Sequence, residues 1–359
     1  MVKWNDDVMK EISIMNSILP SFGKDVSIDI GTSMTRVMGG TRETMMSEPS
    51  IVATDTKLDK IVAVGDDADR IVRRMPDMWM ELTPLQDGFI VDYRVMHTML
   101  KYFLHKVSNT LRRSRVLVGV PCGMTDVEQR AMMDAVIQAG AREVFLIERP
   151  VAAAIGSGLP IFEARGSMVI DIGEGTADMG IISLGGTVIS KTIRFGGGDL
   201  DRAIMQYINQ CFGLMVSEQT ITDIKHAIGT AVVPAEDCEF SFTGRDMTSG
   251  IVRRAVLHQS EIYEVINKRL ADFLDAIQQM IRVTAPELVA DIMQHGIVLT
   301  GGMARLQGLA ERISSEMGVP VQVASDPELK VVQGLHRSSG QIVELARFII
   351  NSKDRRGRV

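Results

Sequence analysis

Two carboxylates, each followed by an isoleucine and a glycine, carry the chemistry most easily read from this chain. In Met168-Val-Ile-Asp-Ile-Gly-Glu-Gly-Thr-Ala-Asp178 an apolar run closed by Asp171 predicts a buried strand. Gly173 and Gly175 predict a turn, and Met179 to Leu184 a second apolar strand. Glycines at the tip of a strand–turn–strand let consecutive backbone N–H groups converge on a phosphate, because no Cβ stands in the way. Asp171 beside such a nest would repel a bare phosphate. Its presence makes sense if it holds a hydrated Mg²⁺ that bridges to the phosphates. An ordinary glycine-rich β-hairpin accounts for one such stretch equally well, but the stretch occurs twice. Val26-Ser-Ile-Asp-Ile-Gly-Thr-Ser-Met-Thr-Arg-Val37 repeats the strand, the corner Asp29-Ile30-Gly31, a small polar turn and a second strand. Two copies so far apart predict two similar domains, each offering one phosphate hairpin to a shared cleft.

The elements that must hold these corners follow from patterning. A chain of 359 residues has room for two cores. With 45% hydrophobic and 23% charged residues it belongs to the soluble globular class, and a net charge of −6 speaks against a nucleic-acid partner. Cys122, Cys211 and Cys238 show no metal spacing and cannot all pair, which suits reduced thiols in a cytoplasmic protein. No apolar run is long enough to span a bilayer, and no signal-peptide core is present. The 24 methionines read as adaptable core filler.

Within residues 1–24, Trp4, Val8, Ile12, Met15 and Leu19 recur at helical spacing. The resulting amphipathic helix would dock on this protein, on a neighbouring subunit or on a membrane surface, although its near-neutral charge is a poor match to anionic lipid. Strands are predicted at Ser50–Thr54 and Lys60–Val64, a helix at Asp66–Arg74, and an irregular connection from Met75 to Asp92. Asp92 caps the next helix, and Ser108–Arg115 is a loop whose arginines surround Leu111, a solvated turn or a rest for phospholipid headgroups. Strand Val116–Val120, the capping box Thr125-Asp-Val-Glu128, strand Val144–Ile147 and the small-residue helix from Pro150 continue an α/β alternation. Beyond the central hairpin come strand Thr187–Ile193 and a helix capped by Asp199. They are followed by a helix at Thr220–Gly229, β-hairpins over 230–257, a long helix at Ser260–Val283, strand Gly296–Thr300 and a helix at Ala304–Met317.

Asp29-Ile-Gly-Thr32, Asp171-Ile-Gly-Glu-Gly-Thr176 and Leu299-Thr-Gly-Gly302 resemble the two phosphate motifs and the adenosine motif of the actin, Hsp70 and sugar-kinase superfamily. Pro84-Leu-Gln-Asp-Gly-Phe-Ile-Val-Asp92, Val118-Gly-Val-Pro121, Ala152-Ala-Ala-Ile-Gly156, Ile182-Ser-Leu-Gly-Gly186 and Ile224-Lys225 narrow the resemblance to the bacterial actin (MreB) family, from about Val26 to Gly334 without a large insertion. The resemblance implies an α/β, actin-like (ribonuclease H-like) duplicated two-domain fold, each domain bearing a smaller subdomain, with a nucleotide cleft between them. Domain I would comprise 25–163 and 333–359 with a subdomain at about 51–95, and domain II 164–332 with one at about 200–263. It implies ATP and Mg²⁺ as cofactors, and subunits assembled head to tail into filaments that pair. Such filaments lie on the cytoplasmic face of the inner membrane and guide cell-wall synthesis and cell shape. Carried over by position, Gly31, Thr32, Ser33 and Met34 contact the phosphates from one side and Gly173, Glu174 and Gly175 from the other. Asp29 and Asp171 organise Mg²⁺ and its waters. Thr222, Asp223, Ile224 and Lys225 approach the ribose, Gly301, Gly302, Met303 and Ala304 the adenine, and Thr176 belongs to the hydrolytic site.

The departures from the family pattern bear on activity. The family's water-positioning Glu directly precedes the Pro of the small-residue helix, and here that place is Arg149, in Ile147-Glu148-Arg149-Pro150. A guanidinium stays protonated and cannot accept a proton. It would pair with the γ-phosphate or turn away to a surface salt bridge, and Glu148 should point elsewhere. Thr222 stands where the family has a ribose-binding Glu, and Met303 replaces a third glycine. ATP binding with slow hydrolysis is the expectation. The competing readings are a filament that positions plasmids or organelles, and a sugar-kinase-like phosphotransferase. The latter would need an acid or base facing a small substrate and added segments to hold it, and the chain shows neither.

Overall fold

The structure is a computed structural model that describes residues 25–39, 44–58, 60–75, 77–86, 88–107 and 114–351. The expected N-terminal helix and the Leu111 loop lie outside the described residues, except that Arg115 opens a strand and its Nε donates to Asp25 at 2.9 Å. That arginine is therefore committed within the fold and is not offered to a headgroup.

The first half runs β1 (Val26–Ile30), β2 (Met34–Gly39), β3 (Thr44–Pro49), β4 (Val52–Asp55), β5 (Lys60–Val64), α1 (Asp66–Arg74) and β6 (Trp79–Leu82). It continues with β7 (Leu85–Gln86), β8 (Phe89–Ile90), α2 (Tyr93–Val107), β9 (Arg115–Val120), α3 (Asp126–Gln138), β10 (Glu143–Glu148) and α4 (Arg149–Gly156). The second half opens with β11 (Ser167–Ile172), β12 (Ala177–Ser183), β13 (Gly186–Ile193), α5 (Gly197–Phe212), β14 (Leu214–Met215), α6 (Glu218–Ile228), β15 (Glu239–Asp246) and β16 (Val252–His258). It closes with α7 (Gln259–Val283), α8 (Pro286–His295), β17 (Ile297–Thr300), α9 (Leu309–Met317), β18 (Val321–Val323), α10 (Lys330–Ser338) and β19 (Ile349–Asn351).

The two principal sheets share one five-stranded arrangement, to which β19 adds an antiparallel edge in the first. The first is ordered β19-β10-β9-β1-β2-β3 and the second β13-β12-β11-β17-β18. In each, an antiparallel three-stranded meander is extended by two strands parallel to its first member. The central strands β1 and β11 are buried along their whole length, as apolar runs between two covered faces must be. Separate cores lie in each half. A third, containing Leu117, Ile147, Val151, Val169, Ile182, Val331 and Leu335, joins α4 and α10 to both sheets. There the two helices meet backbone to backbone: a Cβ on Gly334 would lie 1.7 Å from the Ala152 carbonyl oxygen, and one on Gly156 2.0 Å from that of Lys330.

Local chemistry sets several boundaries. Thr125 and Glu128 form the expected capping box on α3, and Asp92 accepts the Val95 N–H at 3.0 Å. Asp199 is not the cap of α5. It sits inside the first turn and accepts the Gly196 N–H at 2.9 Å, because the glycines before it are already helical. The helix expected over Ala304–Met317 is divided into a 3₁₀ turn, Gly302–Arg305, and α9, with Gly308 at φ 74° between them. The connection expected from Met75 to Asp92 carries β6 and the β7–β8 hairpin, and residues 230–257 hold one hairpin, β15–β16. Among the described residues no helix is long and apolar enough to cross a membrane.

Candidate functional site

The two Asp-Ile-Gly corners adopt the same turn. In β1–β2 the register pairs Asp29 with Arg36 and Ile30 with Thr35, and the Gly31 N–H donates to the Met34 carbonyl at 3.0 Å. In β11–β12 Asp171 pairs with Asp178 and Ile172 with Ala177, and the Gly173 N–H donates to the Thr176 carbonyl at 2.9 Å. Gly31 is required by this closure, since a Cβ would sit 2.6 Å from the Met34 oxygen. The second tip is braced from behind: the Gly197 and Gly198 N–H groups at the start of α5 donate to Gly173 and Glu174 carbonyls at 3.0 and 2.9 Å.

The corners face one cleft of about 530 Å³ between the halves. It is lined by Asp29, Gly31, Thr32, Ser33, Met34, Arg149, Asp171, Gly173, Glu174, Gly175, Thr176, Lys225, Gly301, Gly302 and Met303, all singled out by sequence, together with Arg36, His226, Gly229, Arg305, Leu306, Gln307 and Glu328. Gly301 and Gly302 have different reasons to be glycine. Gly301 has φ 85° and a Cβ there would meet the Ile172 carbonyl oxygen at 2.2 Å, whereas a Cβ on Gly302 would meet no protein atom within 4 Å. Open space beside Gly302 in a cleft of this size suits a planar base lying close to the backbone. Arg305 closes this end with a double hydrogen bond to Glu328, 2.9 and 3.1 Å, and thereby holds the Glu328 carboxyl below its usual range.

At the other end the cleft floor is a charge cluster. Asp29, Asp171, Asp178 and Arg149 are all buried. Arg149 Nη2 donates to the Ile30 carbonyl at 2.7 Å, and its Nε lies 3.4 Å from Asp29. Its Nη1 lies 3.5 Å from both Thr176 Oγ1 and Asp178 Oδ2. The surface salt bridge envisaged for Arg149 is thus replaced by a position in the cleft wall. Burial opposes the guanidinium charge, and the carboxylates of Asp29, Asp178 and Asp171 together outweigh it, holding Arg149 above its ordinary pKa. They also compensate a cation in the first turn of a helix, where the backbone dipole disfavours it. Burial, with repulsion from Asp29 and Asp178, pushes the Asp171 carboxyl up to about 7, although Arg149 and the Thr300 hydroxyl, 2.8 Å away, draw it back. Glu148 points away, toward the Ser190 side chain and the Gly123 backbone, and burial raises its carboxyl.

Three buried carboxylates against one guanidinium leave two negative charges when all are ionised, and hard oxygen donors of that charge fit Mg²⁺. Among the described residues no three acidic, histidine or cysteine side chains converge as direct metal ligands. Asp29 and Asp171, one from each corner, would accordingly hold the ion through water.

Four residues expected at the site are placed elsewhere. Thr222, Asp223, Ile224 and Ala304 do not line the cleft. Asp223 is exposed and bonded by Gln219 at 2.9 Å, while Ile224 and Ala304 belong to the core. Thr222 shares a face of α6 with Lys225 and His226 but lies one turn earlier, and the cleft reaches only the C-terminal turn, at Lys225, His226 and Gly229. Lys225 is tied to Asp201 at 2.9 Å, beside Glu174, whose carboxyl is raised by burial. Sequence reasoning passed over Asp178 and His226. The signal for Asp178 was an acid within an otherwise apolar strand, seven residues after Asp171, the same offset that separates Arg36 from Asp29.

With the geometry in place, comparisons locate the chain among known proteins. Residues 23–347 match the family model described as MreB/Mbl protein. The cell shape-determining protein MreB of Escherichia coli (strain K12) is 42% identical over 322 residues, covering 87% of this chain and 92% of that protein. The cell shape-determining protein Mbl of Bacillus subtilis (strain 168) is 39% identical over 308 residues, covering 85% and 92%. The crystal structure of MreB5 of Spiroplasma citri bound to ADP superposes with a TM-score of 0.84 at 29% identity, covering 90% of this chain and 98% of that one. The MamK double helical filament has the same fold, with a TM-score of 0.73 at 21% identity over 88% and 98% of the two chains. The duplicated sheets with a cleft between them are the actin-like fold, and the chain belongs to the MreB/Mbl family.

Proposed function

We propose that this protein binds ATP with Mg²⁺ between two domains and assembles head to tail into cytoskeletal filaments that organise cell shape and cell-wall synthesis. The observation that carries the reading is the pair of matching Asp-Ile-Gly turns, one from each sheet, facing one cleft in a chain of the MreB/Mbl family. The domains are 25–163 with 333–359, bearing a subdomain at about 51–95, and 164–332, bearing one at about 200–263. The ADP and AMPPNP complexes of MreB5 and the double helical filament of MamK support nucleotide binding and self-association. Filaments pair and lie on the inner face of the cytoplasmic membrane beside the cell-wall machinery, as the family resemblance implies.

In this reading the backbone N–H groups of both turns bind phosphate from opposite sides, Gly302 admits the base, and Lys225 and His226 flank the sugar. Mg²⁺, when bound through Asp29 and Asp171, supplies charge neutralisation for the phosphates. Attack on the terminal phosphate needs an acceptor to orient water. Arg149 only donates, Glu148 faces Ser190, and Asp178 is occupied by Arg149, Thr176, Thr192 and the Cys122 N–H. Hydrolysis is accordingly slow and ATP filaments are long-lived. Pelleting of the full chain with Mg²⁺-ATP, with phosphate release followed on the polymer, tests this. Polymer is expected, with release accelerated roughly a hundredfold in Arg149→Glu. Failure to pellet with any nucleotide removes the filament reading, and an unchanged release rate removes the catalytic assignment of position 149.

A further inference from the structure

Arg149 does more than leave a catalytic place without an acceptor. It leaves the end of β10, in the first half, and its guanidinium contacts both halves at once. Asp29 and the Ile30 carbonyl lie on the first phosphate strand, while Thr176 and Asp178 lie on the second hairpin. Asp178 also accepts the Cys122 N–H from the first half at 3.2 Å, beside Thr192, whose Oγ1 accepts the same N–H at 2.8 Å, so its carboxylate is one of the second half's ties across the cleft floor. The turn at Gly88 closes over this point: a Cβ there would lie 2.8 Å from Pro121, 3.3 Å from Thr176 and 3.7 Å from Arg149 Nη1. Across the cleft mouth, Arg73 of α1 meets Gln219 of α6 at 3.1 Å. That outer tie is a solvent-exposed hydrogen bond to a neutral amide, whereas the Arg149 ion-pair cluster is buried and little screened by salt.

With an acid at position 149 the floor would hold four carboxylates, and repulsion between Asp29 and Asp178 would drive the halves apart until a bound cation joined them. A guanidinium reverses the sign of that force. Resting on the nucleotide and filament reading above, we infer that Arg149 is an interdomain pin: a built-in cation that holds the two domains closed whether or not nucleotide is bound, so that domain closure in this chain is largely uncoupled from ATP. Ligand then shifts the open–closed equilibrium little, since a state already populated offers little to shift. Arg149 is here a positioning residue for the cleft, and Asp178 is its partner.

Small-angle scattering on the dilute, size-fractionated full chain tests the pin, with and without Mg²⁺-AMPPNP and with binding followed by calorimetry in the same buffer. The wild type should keep one radius of gyration in both states. Arg149→Gln should be expanded without nucleotide and contract on adding it, and Arg149→Lys, which keeps the charge but not the fork, should fall between. In parallel pelleting, the critical concentration of the wild type should change less than about threefold on omitting nucleotide, and that of Arg149→Gln roughly tenfold or more. Contraction of the wild type as large as that of Arg149→Gln overturns the pin, as does an Arg149→Gln variant as compact as the wild type without nucleotide. If Arg149→Gln fails to fold, contraction of the wild type decides alone. If the wild type binds no nucleotide, the nucleotide reading fails and the pin stands or falls on whether Arg149→Gln expands. Absence of pellet with unchanged scattering removes the filament reading and leaves the pin.

Discussion

Gly301 and Gly302 show how adjacent residues of one type answer to different constraints. Gly301 is glycine for the fold: its φ of 85° and the Ile172 carbonyl 2.2 Å from its missing Cβ exclude any side chain. Gly302 is glycine for what enters the cleft, since nothing in the protein stands within 4 Å of its missing Cβ. Gly301→Ala should therefore destabilise the protein by about 2 kcal/mol or more in urea denaturation. Gly302→Val should leave the midpoint nearly unchanged and weaken ATP binding at least about tenfold by calorimetry, roughly 1.4 kcal/mol. Loss of stability in Gly302→Val, or its full retention of affinity, would show that the base does not lie against this strand end.

The pair α4 and α10 joins the halves at the scale of elements. Their approach depends on Gly156, Gly334 and the alanines between Val151 and Ile155, which bring two helix backbones to contact distance. Larger residues would separate the sheets and with them the two phosphate turns. Helix propensity by itself favours Ala over Gly by about 1 kcal/mol in a helix interior. Gly334→Ala nonetheless should destabilise, by about 3 kcal/mol, because its Cβ would fall 1.7 Å from the Ala152 carbonyl oxygen. A denaturation midpoint raised by this substitution would show that the helices are not in the close contact described.

A net charge of −6 over the whole molecule sets it against an anionic membrane unless apolar or basic segments intervene. The segments with that character are the 1–24 stretch, through Trp4, Val8, Ile12, Met15 and Leu19, and the arginines beside Leu111. Flotation with phosphatidylglycerol-containing liposomes should lift the full chain, and deletion of residues 1–20 should reduce the floated fraction severalfold. Equal flotation of both proteins would clear the N-terminal segment of that role, and flotation of neither would exclude direct lipid contact.

What the amino-acid order determined by itself was short in range. The Asp-Ile-Gly corners, the Thr125–Glu128 capping box and the strand periodicity depend on neighbours three or four residues apart, or on burial of a whole strand, and each could be read from a local stretch. The repetition of one corner extended that local reading to a duplicated architecture. The cleft floor could not be read in this way. Arg149 reaches Asp29 across 120 residues and Asp178 across 29, and whether it faced them or solvent depended on how β10, β1 and β12 dock. The same holds for α6, where the cleft meets the helix only at its C-terminal turn, at Lys225, His226 and Gly229, and not one turn earlier at Thr222 or Asp223. Adjacent residues on a helix or strand point in different directions, so a motif locates a site to within a few residues, and only the packing of distant elements decides which side chains meet there.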